Sequence, residues 1–244
     1  MKTKPVVGDY VKMTPTLTSY TTDTSKTGYT SKQTINPSEL NLWRVLKVNS
    51  DGTIEMISEY TSSTSVYFSG QAGYQNLVGY LNVLASKYEN SKYTSGSRYV
   101  GYNGQTEYIT NTSKITSTKA PWTSNTTDNS NESLGGGDIM YQNDYDLIQN
   151  VLGTRVALNV NTKEASIYWL ASRYYIYTSS INFRYYGCHI FKDGAWGGND
   201  LYGFSGGSFN PYSNKYTIRP IIILKSGISY TRAIGTMNDP FILN

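Results

Sequence analysis

Between Tyr74 and Tyr88, the apolar residues Leu77, Leu81 and Leu84 follow one another at spacings of three and four. This spacing puts them on one face of a helix, so the pattern predicts an amphipathic helix over residues 74–88. A second helix is predicted over Asn143–Gly153, with Asp144 as its N-cap and Gly153 in the position of a C′ glycine.

Other segments alternate between apolar and polar residues, which is typical of strands. Leu42–Val48 and Thr53–Ser58 alternate on either side of an Asp-Gly turn, and this arrangement predicts a hairpin. Four further extended segments are predicted at Gly8–Met13, Ile167–Ser172, Thr217–Leu224 and Ser229–Asn244. Pro220 suggests that its strand is at a sheet edge or carries a bulge.

The remaining long segments are rich in Ser, Thr, Asn and Gly. Thr14–Pro37 is predicted to be a surface loop, and residues 95–137 a loop-rich insertion within Tyr93–Asp138. The strands bracket two helices without a βαβ repeat. We therefore expect an α+β fold in a single domain over residues 1–244.

Composition narrows the possible functions. Only 16% of the 244 residues are charged, 24 are Tyr, and the net charge is +4. The basic residues are scattered, so we expect no nucleic-acid partner. A single Cys and a single His, Cys188 and His189, allow no internal disulfide and no zinc site of usual spacing. This uncharged, Tyr-rich composition is typical of exported and cell-surface proteins.

The segment Tyr168–Lys225 contrasts with the rest of the chain. Apolar ends enclose a middle of Tyr, Asn, Ser, Gly, Phe, Arg, His and Trp. Large aromatics provide contact area and small polar residues provide adaptable hydrogen bonds, which is the composition of a binding surface. The alternative is that these tyrosines pack the core, since alternation in Tyr175–Tyr177 and His189–Phe191 must point one set inward.

Candidate chemistry in this segment is weak. Trp196-Gly197-Gly198-Asn199-Asp200 is similar to the calcium-site Trp-Asn-Asp of sugar-binding C-type lectins, but two glycines are inserted. Few acidic ligands lie nearby, so we expect no metal and predict that the glycines form a turn. Cys188 and His189 should point to opposite faces of a strand and so cannot pair directly. Asp138, Asp144 and Asp146 complement a helix dipole. We expect no cofactor and no enzymatic activity.

The motifs Tyr168–Arg173 (YWLASR), Asn182–Arg184 (NFR) and Ile218–Gly227 (IRPIIILKSG) resemble a family of bacterial surface and prophage-encoded proteins, many carried on type IV pilin-like stems. Gly8–Val11, Leu42–Val45 and Gly235–Phe241 extend the resemblance over most of the chain. It implies a C-type-lectin-like fold, in which two helices flank a small twisted sheet and the chain termini meet.

Some members of this family resemble variable proteins of diversity-generating retroelements, in which adenine-directed mutagenesis replaces residues near the C-terminus. The resemblance therefore implies a variable-type region over residues 168–225. Its ligand-binding positions are expected at Tyr174, Tyr175, Tyr177, Asn182, Arg184, Tyr186, His189, Phe191, Trp196, Asn199, Asp200, Tyr202, Phe204, Ser208, Asn210 and Tyr212. The residues expected to hold the fold are Trp169, Leu170, Phe183, Leu201, Arg219, Pro220 and Leu224.

The sequence thus predicts a non-catalytic, receptor- or adhesin-type protein that recognises a protein or glycan ligand. The alternative is a surface adhesin or phage receptor-binding protein of fixed glycan specificity. We expect a monomeric domain at the bacterial cell surface, on a pilus or on a phage particle. No apolar run spans a membrane, and no apolar leader follows Met1, so any pilin-like anchor is expected to precede the given sequence.

Overall fold

The structure is a computed structural model that describes residues 1–97, 146–179 and 182–244, with the side chains of residues 97, 172, 174–179, 182, 183, 204 and 209 left aside. Its helices are α1 (Thr24–Thr27), α2 (Gly70–Ser86) and α3 (146–152), with a short 3₁₀ turn at Pro37–Glu39. Many short strands complete an α+β fold. No helix in the described part of the chain is long and apolar enough to cross a membrane.

The larger sheet has six strands in the order β16-β1-β4-β5-β15-β7. They are β1 (Tyr10–Lys12), β4 (Leu42–Val48), β5 (Ile54–Ser58), β7 (Thr94–Ser97), β15 (Ile221–Leu224) and β16 (Phe241–Ile242). All neighbouring pairs are antiparallel except β1 and β16, whose parallel pairing brings the two ends of the chain together. The predicted β4–β5 hairpin is confirmed.

The second sheet has four antiparallel strands in chain order: β10 (Tyr168–Ser179), β11 (Asn182–Ile190), β12 (Trp196–Ser205) and β13 (Ser208–Pro211). Three two-stranded ribbons complete the fold. They are formed by β2 (Tyr20–Thr21) with β3 (Thr34–Ile35), β6 (Val66–Ser69) with β14 (Ser213–Tyr216), and β8 (Ala157–Leu158) with β9 (Ala165–Ser166).

Helix α2 packs against both sheets. Its Leu77, Leu81 and Leu84 share one buried cluster with Trp43 of the larger sheet and Tyr185 of the smaller one. The helix predicted over residues 74–88 is therefore confirmed, although it begins four residues earlier, at Gly70. Burial of this apolar face stabilises the helix more than its intrinsic propensity does.

Helix α3 covers the opposite face of the six-stranded sheet, where Ile148 contacts Leu46 and Ile57. Gly153 ends the helix in the left-handed conformation, with φ of 73° and its N–H donating to Gln149 O. Both observations confirm the second predicted helix and its C-terminal glycine. The proposed N-cap, Asp144, lies outside the described residues.

Three sequence-based expectations need correction. Thr14–Pro37 is not only a loop: it contains α1, β2 and β3, and Ile35 is fully buried. Strand β15 is not at an edge, because β5 and β7 pair with its two sides, but its pairing with β7 is irregular between Ile223 and Leu224, which agrees with the alternative of a bulge. The predicted 95–137 insertion begins inside β7, and residues 98–137 lie outside the described residues.

Candidate ligand-binding surface

A β-bulge divides the predicted binding segment into buried and exposed positions. Tyr185 of β11 pairs with Tyr202 of β12, but the next residue, Tyr186, pairs with Asp200. Leu201 is therefore the extra residue of β12, and both Leu201 and Tyr202 are buried. A bulge of this kind re-aims the side chains that follow it, and here it directs Asp200 to the opposite face of the sheet.

The side of the four-stranded sheet that faces α2 is closely packed. Its buried residues Tyr185, Gly187, Leu201 and Tyr202 are called the inner layer. The Tyr185 ring is 1% exposed, and its centroid lies 4.7 Å from that of Tyr74 and 5.9 Å from that of Tyr202. Gly187 leaves no room for a side chain, since a Cβ there would be 2.8 Å from Trp169 Cζ3. Residues of this layer cannot change size without disturbing the core.

On the other side of the same strands lies the outer patch, which consists of Arg184, Tyr186 and Asp200. Arg184 Nη1 donates a 2.8 Å hydrogen bond to Asp200 Oδ2, and the two side chains are 47% and 16% exposed. Tyr186 is half-buried beside them, and exposed Tyr212 lies close enough to influence Arg184 electrostatically. The outer patch thus combines a cation, an anion and aromatic hydroxyls within reach of a ligand.

Electrostatic coupling within the patch shifts the pKa values of Arg184 and Tyr186. The Asp200 carboxylate raises the pKa of the Arg184 guanidinium above its usual value. Burial raises the pKa of the Tyr186 hydroxyl, and the negative charge of Asp200 raises it further, while Arg184 opposes the shift. Near neutral pH, Tyr186 therefore keeps its proton, and its hydroxyl is hydrogen-bonded to the Asp200 carboxylate within the patch.

His189 and Tyr202 were predicted to contact a ligand, but the structure places both of them inside. His189 is fully buried and Tyr202 is 6% exposed. An aromatic row runs from Trp169 through Tyr216 and His189 to Phe191, with successive ring centroids 4.6, 4.5 and 4.4 Å apart. Burial lowers the pKa of His189 to about 4, so its imidazole is neutral at physiological pH.

The outer end of that row reaches the surface. Phe191 is 38% exposed and Trp196 is 36% exposed, so both predicted contact residues are accessible. Gly197 does not form the predicted turn, because Gly197 and Gly198 pair within β12 with His189 and Cys188. The physical reason for glycine is space: a Cβ on Gly197 would lie 2.4 Å from Phe191 Cε2.

The other predicted positions include three whose side chains the structure describes. Asn199 is half-buried and donates a hydrogen bond through Nδ2 to the Tyr216 hydroxyl. Ser208 is exposed beside the β12–β13 turn, and its carbonyl accepts a 3.2 Å hydrogen bond from Asn210 Nδ2. The backbones of the remaining positions lie in β10, β11 and β12, but their side chains are outside the described part: Tyr174, Tyr175, Tyr177, Asn182 and Phe204.

The residues expected to hold the fold are buried wherever the structure describes them. Trp169 Nε1 donates a 2.8 Å hydrogen bond to Val66 O, and Arg219 Nε donates a 3.0 Å bond to Ser58 O. Arg173, which ends the YWLASR motif, donates to two carbonyls of α2, Tyr74 O and Gln75 O. The others described are also buried: Leu170, Leu201, Pro220 and Leu224. The Phe183 side chain is outside the described part.

Cys188 and His189 lie on opposite faces of β11, as predicted. Cys188 packs with Leu170 and Ile190, whereas His189 contacts the aromatic row. Across residues 1–97, 146–179 and 182–244, no group of three His, Cys, Asp or Glu residues could hold a metal ion. In the predicted acidic cluster, Asp138 and Asp144 lie outside the described residues. Asp146 forms an ion pair in which its Oδ1 lies 3.6 Å from Arg155 Nη2.

Comparison with known proteins adds no relative. No protein-family model, curated protein or solved structure matches the chain.

Sequence reasoning missed the contribution of β14. Asn214 Nδ2 donates a 2.6 Å hydrogen bond to Asp200 O and so fixes the backbone beneath the outer patch. Beside it, Tyr67 stacks on Tyr29 with ring centroids 4.2 Å apart, and Lys215 Nζ lies 5.2 Å from the Tyr67 centroid. Tyr29 and Tyr67 are distant in sequence from the predicted segment, so only the tertiary structure reveals this cluster.

Proposed function

We propose that this chain is a non-catalytic, receptor- or adhesin-type protein that recognises macromolecular ligands through the outer patch and neighbouring Tyr212. The observation that carries the proposal is the bulge in β12, which separates exposed Arg184 and half-buried Asp200 from buried Tyr185 and Tyr202. A rigid sheet that displays an accessible polar and aromatic face can bind a partner without changing its own core.

We further propose a C-type-lectin-like fold and membership of the variable proteins of diversity-generating retroelements. Two features support this proposal. Helices α2 and α3 pack on opposite faces of the six-stranded sheet, and the parallel pairing of β1 with β16 joins the chain termini. The YWLASR and IRP motifs supply buried residues on both sides of the segment that would vary.

In this proposal, binding combines aromatic burial with charge-assisted hydrogen bonds. Tyr186 and Tyr212 provide contact area, and large aromatics often dominate the energy of an interface. Arg184 and Asp200 neutralise each other before binding, which lowers the cost of removing them from water compared with that of an isolated charge. The ligand would be engaged at a bacterial cell surface, on a pilus or on a phage particle.

Sequencing of sibling gene copies tests the proposal. We expect substitutions at Arg184, Tyr186, Asp200 and Tyr212, while the codons of the inner layer stay unchanged. We also expect a reverse transcriptase gene and a near-repeat of the Tyr168–Lys225 coding segment beside the gene. Sibling copies that are invariant at the four outer positions, or that vary as freely at Tyr185 and Gly187, would refute it.

A further inference from the structure

A second candidate site lies on the flank of the molecule and shares no residue with the outer patch. A polar groove of about 260 Å³ runs between the β8–β9 hairpin, the β11–β12 loop and β14. We propose that this groove binds a carboxylate-bearing sugar unit of an acidic polysaccharide. The proposal goes beyond the function proposed above, because the groove contains none of the outer-patch residues.

Charge is the first argument for an acidic ligand. Lys192 and Lys215 both line the groove, and both are exposed. In the part of the chain that the structure describes, neither ammonium lies within ion-pair distance of a carboxylate. Glu164 is the acidic residue among the lining side chains. The groove therefore carries an excess of positive charge that an anionic ligand would neutralise.

The chemistry of the lining favours a sugar over an acidic peptide. Ser166 and Thr217 share a 3.0 Å hydrogen bond between their hydroxyls, and Thr162 adds a third hydroxyl to the wall. The Thr217 hydroxyl donates to Ile167 O and so accepts the bond from Ser166. These hydroxyl oxygens and the Glu164 carboxylate can therefore accept hydrogen bonds from the hydroxyl groups of a sugar ring. Ala165 and Ile167 are the aliphatic lining residues and Tyr216 is the aromatic one, so the groove offers little to an aliphatic peptide side chain.

The groove is held in shape before any ligand binds. Asn159 Nδ2 donates 2.9 and 3.3 Å hydrogen bonds to Ser62 O and Ser63 O, which ties the β8–β9 hairpin to the body of the protein. The loop that carries Lys192 is closed by a 2.7 Å bond from Phe191 N to Ala195 O. A preformed site loses less conformational entropy when it binds a ligand.

Size and neighbourhood limit the ligand to one unit of a chain. Pockets for drug-sized molecules measure about 300–1,000 Å³, so this groove accommodates a single small polar unit. Lys215 also lies over the Tyr67 ring, which stacks on Tyr29. A polysaccharide that places its carboxylate beside Lys215 would therefore lie next to an aromatic surface suited to the next sugar ring.

Calorimetric titration with a galacturonate tetrasaccharide tests this proposal, with its methyl ester as the uncharged counterpart and a tetraglutamate peptide as the acidic peptide. We expect the tetrasaccharide to bind, with an affinity that falls as salt rises, and the ester and the peptide to bind at least tenfold more weakly. Lys192→Ala and Lys215→Ala should each weaken binding about tenfold. Lys12→Ala removes an exposed lysine of β1 and should have no effect.

Three results would overturn the proposal: no binding of the tetrasaccharide, equal binding of the ester or the peptide, or equal losses in Lys12→Ala and Lys215→Ala. Arg184→Ala separates the two sites. It should leave binding of the galacturonate tetrasaccharide unchanged, because Arg184 does not line the groove. Tetrasaccharide binding therefore tests only the groove, and an outer patch without a ligand would leave that result unaffected.

Discussion

Tyr185 and Tyr186 are consecutive residues of one strand, yet they lie in different environments. Tyr185 is 1% exposed and packs against Tyr74, whereas Tyr186 is half-buried beside Arg184 and Asp200. The same contrast separates Tyr202 from Asp200 across the bulge. Residue type alone therefore does not separate a structural tyrosine from an accessible one; its position in the paired strands does.

The inner layer and the outer patch should differ most in how much a substitution lowers the free energy of unfolding. Tyr185→Ala should lower the free energy of unfolding by about 3–5 kcal/mol, because it leaves a cavity beside α2. Tyr186→Ala should cost at most about 1 kcal/mol, since the ring already contacts solvent. Urea denaturation of both variants measures the difference. Equal losses would mean that both tyrosines belong to the core.

Buried His189 should also make stability depend on pH. The unfolded His189 imidazole has its ordinary pKa near 6.5, and burial lowers the folded value to about 4. The unfolded state therefore binds more protons between these values. The contribution of neutral His189 to the free energy of unfolding is present above pH 6.5, and about 2–3 kcal/mol of it is lost as the pH drops toward 4. His189→Phe should remove this component in urea titrations across that range. An unchanged pH profile in the variant would show that His189 is not its source.

Substitution of two glycines tests the same difference between buried and accessible positions, with a smaller expected effect on stability. Gly187→Ala should cost about 1–3 kcal/mol, because the new Cβ meets buried Trp169, Leu77 and Leu201 side chains. Gly197→Ala is the matched control: its obstacle is the ring of Phe191, which is 38% exposed and can swing into solvent. Thermal unfolding should rank Gly187→Ala well below Gly197→Ala, and the reverse ranking would contradict the assignment of the two layers.

The smallest effect on stability is expected in the outer patch. Arg184→Ala removes an ion pair whose arginine is 47% exposed, so the free energy of unfolding should hardly change. This small loss should shrink further at high salt, because exposed charges are screened. Urea denaturation at low and high salt measures both effects. A larger loss that persists in salt would assign Arg184 a structural role.

Elements with strong local patterns could be predicted from the sequence. The spacing of Leu77, Leu81 and Leu84 is sufficient to identify α2, and the Asp-Gly turn is sufficient for the β4–β5 hairpin. The buried motif residues Trp169 and Arg219 were also predicted to hold the fold. In each case the signal is contained in a short stretch of chain.

Features that depend on long-range pairing could not be predicted in this way. The burial of His189 and Tyr202 follows from the register between β11 and β12 and from the extra residue Leu201. Nothing local to either residue reveals that register. For the same reason, the packing of Phe191 over Gly197 and the placement of Tyr67 beside Lys215 emerge only in the folded chain.

Two matched display libraries provide the most direct test of the central claim, that the outer positions can vary while the inner layer cannot. One library randomises Arg184, Tyr186, Asp200 and Tyr212, and the other randomises Tyr185, Gly187, Leu201 and Tyr202. We predict that most members of the first library resist protease and that it yields binders to a chosen target protein, whereas most members of the second are digested. Equal protease resistance in the two libraries, or no binders from a folded outer library, would contradict the account.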